Sequence, residues 1–185
     1  RTALNYLQRL SGIATQAANY VEAVRGTGVL ILDTRKTTPG WRAFEKYAVQ
    51  CGGARNHRRG LDDLIMIKDN HLAALEALNP VADAVTRAHE AAPDLKVEVE
   101  ADTLEQAEAA AAAGADIILL DIMTPEMLRE AVALIDGRSQ IEASGGITFE
   151  SIRAVAETGV NFISVGALTH SAAAVDIAMD FSPTP

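Results

Sequence analysis

Short apolar runs alternate with longer amphipathic stretches along nearly the whole chain. The apolar runs, rich in Val, Ile and Leu, are residues 29–32, 64–67, 97–99, 117–120, 140–143 and 162–165. Between them, apolar residues recur at helical spacing in residues 41–51, 79–92, 104–113, 125–135 and 149–158. A further helix is predicted for residues 1–24, ahead of the first run. Strands that alternate with helices predict a parallel sheet with crossover helices.

Two parallel architectures fit this pattern, an open doubly wound sheet and an α/β barrel. A dinucleotide-binding doubly wound fold has a glycine-rich turn after its first strand, whereas residues 33–36 here read Asp-Thr-Arg-Lys. Glycines follow the last two strands instead, where barrels commonly bind phosphate. We therefore expect one domain over residues 1–185, an open, incomplete α/β barrel of about six parallel strands, with a frayed tail at residues 182–185.

Composition and charge narrow the classes of function. Apolar residues make up 49% of the 185, but no apolar run has the roughly 20 residues of a membrane span. No signal-peptide pattern opens the chain. The single cysteine, Cys51, excludes an intrachain disulfide, is interpreted as a buried packing residue, and fits a reducing, cytoplasmic location. A net charge of −9 argues against nucleic acid as a partner.

Charged side chains follow the predicted strands, at the edge where barrel enzymes have their active sites. The cationic or potentially cationic groups near the first two strand ends are Arg35, Lys36, His57, Arg58 and Lys68. These groups would repel one another without an anion among them, and both arginine and lysine bind carboxylates and phosphates. The pattern thus predicts an anionic ligand. Surface or helix-capping roles are expected for Arg42, Lys46, Arg55, Arg59 and His89.

Carboxylates end the next two strands and face the same edge. Glu100 and Asp121 beside a phosphate site favour Mg²⁺, with an ion pair to Lys68 or Lys36 as the alternative. Glu98 shares one face of its strand with Glu100 and breaks the apolar pattern of a buried strand, so both need a cation, a ligand or a metal. No Ser–His or Cys–His pairing supports covalent catalysis.

Glycines after the last two strands indicate a phosphate site. Residues 144–146, Ser-Gly-Gly, precede a helix and leave backbone N–H groups free for an anion, and Thr148 and Ser151 are expected to cap that helix. Gly166, after the last strand, would complete a cup for phosphate. The residues alone thus predict a barrel enzyme for a phosphorylated, polyanionic ligand, a metal and a second, carboxylate-bearing ligand.

Eight ordered blocks resemble the quinolinate phosphoribosyltransferases, which are carboxylating nicotinate-nucleotide pyrophosphorylases. The blocks are residues 1–5, 11–15, 33–40, 52–58, 67–71, 97–100, 144–147 and 165–171. The resemblance implies a type II phosphoribosyltransferase with an open α/β barrel. It also implies a reaction of NAD biosynthesis, in which quinolinate and phosphoribosyl pyrophosphate give nicotinate mononucleotide, pyrophosphate and CO₂ with Mg²⁺.

The resemblance further implies roles for single residues. Arg35, His57 and Arg58 would hold the quinolinate carboxylates, near Thr34, Lys36 and Lys68. Glu100 and Asp121 would lie at the metal and the ribose, and with Lys36 and Lys68 they form the expected catalytic set. The 5′-phosphate would be bound by Ser144, Gly145, Gly146, Ile147, Gly166, Ala167 and Leu168.

Arg1 matches an arginine that family members lend to the neighbouring subunit's site. We therefore expect a homodimer or higher homo-oligomer with shared active sites, and no nucleic-acid or membrane partner. The N-terminal α/β sandwich domain of the family is expected to be absent from this chain. Ala54 stands where a third glycine is usual in the family, and Ile122 where Asn is common.

Two other functions remain open at this stage. One is a paralogous phosphoribosyltransferase with a different base, against which residues 56–58, Asn-His-Arg, favour quinolinate. The other is a non-catalytic phosphosugar-binding fragment. Retention of Lys68, Glu100 and Asp121 favours an enzyme instead, since binding alone would not need all three.

Overall fold

All of the strands predicted from the apolar runs are present, and their pairings are parallel. The computed structural model describes residues 1–182, so residues 183–185 of the expected frayed tail lie outside the described part of the chain. In chain order the elements are α1 (Thr2–Ala23), β1 (Leu30–Leu32), α2 (Arg42–Cys51), β2 (Ile65–Ile67), α3 (Asp69–Ala73), α4 (Pro80–Ala91), β3 (Val97–Ala101), α5 (Leu104–Ala112), β4 (Ile117–Asp121), α6 (Pro125–Ile135), β5 (Gln140–Ser144), α7 (Ile152–Ala156), β6 (Phe162–Ser164) and α8 (Ala167–His170).

The sheet order is β1-β6-β5-β4-β3-β2. Strands β1 and β2 are therefore neighbours in sequence but lie at opposite ends of the sheet. Within residues 1–182 no strand pairing joins these two ends, so the barrel is open, which confirms the predicted fold class.

The two faces of the sheet differ sharply in chemistry because alternate residues of a strand point to opposite sides. One face is apolar and packs beneath the helices, with Val99, Ile118, Leu120 and Ile163 fully buried there. The other face carries the charged residues: the register places Glu100, Leu119 and Glu142 in one row and Asp121 beside Ser144 in the next. The polar strand positions thus line the inside of the open barrel.

Two details of the prediction differ from the structure. The helix expected over residues 149–158 is shortened to Ile152–Ala156. Ahead of it, the Thr148 N–H donates to Ser151 Oγ at 3.0 Å and the Ser151 N–H donates to Thr148 Oγ1 at 3.4 Å, which ties residues 148–151 into a turn. Cys51 ends α2 at an exposed position, so its interpretation as a buried packing residue was wrong.

No helix in the described part of the chain is long and apolar enough to cross a membrane.

Candidate active site

A cavity of about 310 Å³ opens at the carboxyl ends of the strands. The cationic groups expected there from the sequence all line it: Arg35, Lys36, His57, Arg58 and Lys68. Thr34, Glu100, Asp121 and Ser144 line it too, together with Met66, Leu119, Glu142 and Ser164. The structure therefore brings the predicted acceptor and metal residues into one space.

Three of these cations have no carboxylate partner. Within residues 1–182, neither Arg35, Lys36 nor Arg58 lies within 4.0 Å of an acidic oxygen. Among the described residues, the Arg35 Nε is buried without a hydrogen-bond partner, and the Arg58 guanidinium donates only to the Met66 sulfur, at 3.3 Å. Burial, and then the charge of Arg35, lower the pKa of Arg58. The cavity thus concentrates positive charge that a bound anion would neutralise.

The carboxylates at the carboxyl ends of β3 and β4 form a candidate cation site. Glu100, Asp102 and Asp121 each offer an oxygen, and these oxygens lie within 4.8 Å of one another. The Lys68 ammonium is paired with Glu100, which is the ion pair that the sequence left as an alternative. Burial raises the pKa of Asp121, and the nearby charge of Glu100 raises it further. Asp102 was not among the residues predicted from the sequence.

The loop after β5 requires glycine at position 145. Gly145 has a φ of +84°, in the left-handed region that side chains avoid. A Cβ there would lie 2.6 Å from Ile122 Cγ1 and 2.7 Å from Asp121 Oδ1. Gly146 follows with a φ of +64°, then Ile147, so residues 144–147 turn sharply beside the carboxylates.

The second predicted phosphate loop lies close to Lys36. A Cβ on Gly166 would lie 3.3 Å from Lys36 Cδ, and the Thr169 hydroxyl donates to the Lys36 carbonyl at 2.7 Å. The Leu168 side chain is fully buried in the core, so Leu168 could face a ligand only through its backbone. Arg1 is exposed at the start of α1 and is not part of this cavity's wall.

A buried ion pair holds the loop that carries His57 and Arg58. Lys46 and Asp33 are 1% and 0% exposed, and the Lys46 ammonium donates to Asp33 Oδ1 at 2.5 Å. The Asn56 amide donates to Asp33 Oδ2 at 2.7 Å and to the Lys46 carbonyl at 2.9 Å. Burial raises the pKa of Asp33 and lowers that of Lys46, and their mutual hydrogen bond opposes both shifts.

The surface or capping role expected for Lys46 was therefore wrong. Lys46 lies on the buried face of α2, three positions before Val49, which is fully buried. That spacing placed Lys46 on the apolar face of the helix, and it was the sequence signal that could have identified the residue.

A second buried cluster lies on the inner face of the barrel. His57 Nε2 is 3.1 Å from Glu98 Oε2 and 3.3 Å from Glu142 Oε2, and the three side chains are 8%, 0% and 1% exposed. The distances are those of an ion pair, but Glu98 Oε2 and both Glu142 oxygens lack a hydrogen bond of good geometry. Glu142 was not among the predicted site residues.

The protonation of this cluster follows from its contacts. Burial lowers the pKa of His57, but Glu142 and Glu98 outweigh burial and raise it to about 10. Burial also raises the pKa of Glu98, against the effect of His57. The coupled groups therefore retain an extra proton above neutral pH. The Arg58 backbone N–H donates to His57 Nδ1 at 2.8 Å, and since this contact needs an unprotonated Nδ1, the extra proton is not on that nitrogen.

Known proteins resemble this chain over nearly all of its length. The family model for the C-terminal domain of quinolinate phosphoribosyl transferase matches residues 13–180. The chain is 50% identical over 181 residues to a probable nicotinate-nucleotide pyrophosphorylase [carboxylating] of Bacillus subtilis, covering 97% of the chain and 62% of that protein. It is 45% identical over 185 residues to the human nicotinate-nucleotide pyrophosphorylase [carboxylating], covering 97% of the chain and 61% of the human protein.

A solved structure agrees with these sequence relatives. The crystal structure of NadC from Streptococcus pyogenes matches with a TM-score of 0.92 and 49% identity, over 98% of this chain and 63% of that one. The chain thus spans a little over three-fifths of the length of each of these relatives.

Proposed function

Since this chain belongs to the quinolinate phosphoribosyltransferase family, we propose that it forms the catalytic barrel of an enzyme that joins quinolinate to phosphoribosyl pyrophosphate. The products are nicotinate mononucleotide, pyrophosphate and CO₂. The observation that carries this proposal is the set of unpaired cations, Arg35, Lys36 and Arg58, lining one cavity beside the Gly145 loop. Quinolinate brings two carboxylates and the co-substrate brings phosphates, so both ligands fit a cavity of this charge.

The pyridine ring is proposed to lie between the arginines. Arg35 and Arg58 bind its two carboxylates as forks, while Lys36 and Lys68 act as point charges and Thr34 lies at the cavity wall. This arrangement directs the ring nitrogen toward the ribosyl carbon, so that positioning supplies part of the rate. Release of Lys68 from Glu100 on ligand binding would free both groups for the reaction.

The phosphoribosyl group is proposed to lie across the ends of β4, β5 and β6. The 5′-phosphate accepts hydrogen bonds from backbone groups of residues 144–147 and 166–168, with Ser144 at the cavity wall. Glu100 and Asp121 lie beside the ribose, where their charge stabilises the cationic ribosyl carbon as pyrophosphate leaves. Once the ring nitrogen is bonded to ribose, its positive charge stabilises the carbanion left by loss of CO₂.

We propose that a magnesium ion binds beside the carboxylates of Glu100 and Asp121. Mg²⁺ prefers one or two carboxylates together with phosphate oxygens and water. Glu100 and Asp121, with Asp102 adjacent, offer such oxygens close together, and the ion pair between Glu100 and Lys68 supports the proposal that these carboxylates attract a cation. When bound, the ion would supply positive charge to the departing pyrophosphate.

Separate titrations test the proposal. Quinolinate and phosphoribosyl pyrophosphate are each titrated into the chain by calorimetry, and nicotinate mononucleotide is then assayed with both present. We expect each ligand to bind without the other, and the product to form only with both. Binding of phosphoribosyl pyrophosphate with no binding of quinolinate would reject the proposal in favour of another base or a phosphosugar-binding role.

A further inference from the structure

The His57 side chain lies inside the open barrel and contacts two of its strands. Arg55 extends the sheet beside β1, since its N–H donates to the Ile31 carbonyl at 2.8 Å and its carbonyl accepts from the Asp33 N–H at 3.0 Å. Two residues later, the His57 ring reaches Glu98 on β3 and Glu142 on β5. The ring therefore connects the edge of β1 with β3 and β5.

Buried groups hold the His57 backbone on both sides. Its N–H donates to Asp33 Oδ1 at 2.8 Å, and its carbonyl accepts from the Lys46 ammonium at 3.0 Å. Because Asp33 and Lys46 are themselves paired and almost fully buried, the backbone at this position has little freedom.

Both ring nitrogens of His57 also have partners within the protein. Nδ1 accepts from the Arg58 N–H, so the ring proton must reside on Nε2, where it faces the two glutamates. Neither nitrogen is left for a ligand. In the same tautomer Nε2 has no unshared electron pair, so His57 could not bind a metal ion through that nitrogen.

Two buried carboxylates lower the free energy of unfolding relative to apolar side chains of similar size. Glu142 lies in the same row of the sheet as Leu119, which shows that this row also accepts an apolar residue. Carboxylates whose oxygens lack good hydrogen bonds destabilise the fold relative to such a residue. Their presence beside a reactive cavity is best explained by a role in function.

We propose that Glu98 and Glu142 are positioning residues that act through His57. They hold its Nε2–H, the ring in turn fixes the Arg58 backbone through Nδ1, and Arg58 is thereby set opposite Arg35 to receive a carboxylate of the ligand. His57 accordingly orients Arg58 instead of contacting quinolinate. The inference rests on the proposed function only in assigning that carboxylate to quinolinate.

The first test reads the His57 tautomer by ¹⁵N NMR in the ligand-free chain at neutral pH. We expect a protonated Nε2 and an unprotonated Nδ1 in the wild type. We also expect the Arg58 amide resonance to move in Glu142→Gln and Glu98→Gln, since Gln keeps the shape but replaces one of the oxygens that face the Nε2–H with an NH₂ group. A proton on Nδ1 instead of Nε2 would overturn the inference. An Arg58 amide resonance that is unchanged in both variants would overturn it as well.

The second test measures ligand binding in the same variants. Quinolinate should bind roughly tenfold more weakly to Glu142→Gln and Glu98→Gln, while phosphoribosyl pyrophosphate binds as in the wild type. Glu130→Gln, at an exposed position on α6, is the matched control and should leave both affinities unchanged. Unchanged quinolinate affinity in both buried variants, with thermal unfolding showing that they are folded, would contradict the positioning role.

The third test removes the two contacts of the ring one at a time. His57→Asn keeps an acceptor near the Nδ1 position for the Arg58 N–H but cannot reach the glutamates, whereas His57→Gln places an N–H near the Nε2 position but leaves the Arg58 N–H without its acceptor. Because the proposed positioning needs both contacts, we expect both variants to bind quinolinate more weakly than the wild type and the Arg58 amide resonance to move in both. Wild-type quinolinate affinity in either variant would overturn the inference. If the wild type binds no quinolinate at all, the proposed function fails, while the ligand-free NMR measurement still decides the role of the glutamates.

Discussion

At the scale of single residues, Arg58 provides the most direct test of the acceptor site. Arg58→Lys keeps the charge but removes the fork, so quinolinate binding should weaken by about 1.5–3 kcal/mol, the range of a charge-assisted hydrogen bond. Binding of phosphoribosyl pyrophosphate should change little. Calorimetry with each ligand measures both, with Arg129→Lys on the exposed side of α6 as a control. Equal losses for the two ligands would show that the subsites are misassigned.

Ile122 is a second residue with a measurable consequence. It has a φ of +52°, a conformation that is strained for a β-branched side chain, and it is 77% exposed, so little burial compensates the strain. Ile122→Asn should therefore raise the free energy of unfolding by about 1 kcal/mol, because Asn tolerates this backbone. Chemical denaturation measures the change. Leu78→Asn, exposed and without a positive φ, should show no such gain.

At the scale of elements, the sequence predicted the strands well because each is a short buried apolar run. Helices α3 and α8 were missed, since five and four residues are too few to show a helical period. The cavity cations could be predicted from their places at strand ends. The spacing in α2 could have placed Lys46 on the buried face, but it could not show that Lys46 pairs with Asp33. The roles of Glu142 and Asp102 could not be predicted, because they depend on His57 and Asp121, which are distant in sequence.

The loop between β5 and α7 gives a prediction at this scale. Gly145→Ala should weaken phosphoribosyl pyrophosphate binding and lower the free energy of unfolding by about 1–3 kcal/mol. The positive φ is strained for alanine, and its Cβ would clash with the Ile122 and Asp121 side chains. Gly137→Ala is the matched control, since Gly137 also has a positive φ, +71°, but open space around its Cβ position. It should lose stability without losing affinity. Equal ligand binding in both variants would remove this loop from the phosphate site.

At the scale of the whole molecule, the placement of Arg1 indicates how chains could assemble. Arg1 is exposed and lies outside the wall of its own chain's cavity. Helices α1 and α2 also expose apolar side chains, among them Leu7, Phe44 and Tyr47. An exposed apolar surface of this kind suits a subunit interface. We therefore propose a homo-oligomer in which Arg1 completes the site of a second copy.

Mixing two inactive variants tests shared sites directly. Arg1→Ala removes the arginine that is proposed to act in the site of the second copy, and Lys68→Ala removes a cation of the chain's own cavity. Each variant alone should therefore be nearly inactive. In a mixed dimer, the site built on the Arg1→Ala chain keeps Lys68 and receives Arg1 from its companion, which restores that site. Random exchange in a twofold dimer should return about a quarter of the wild-type rate of nicotinate mononucleotide formation. Activity that stays at the level of the separate variants, when mass measurements show that chains have exchanged, would mean that Arg1 does not act across an interface.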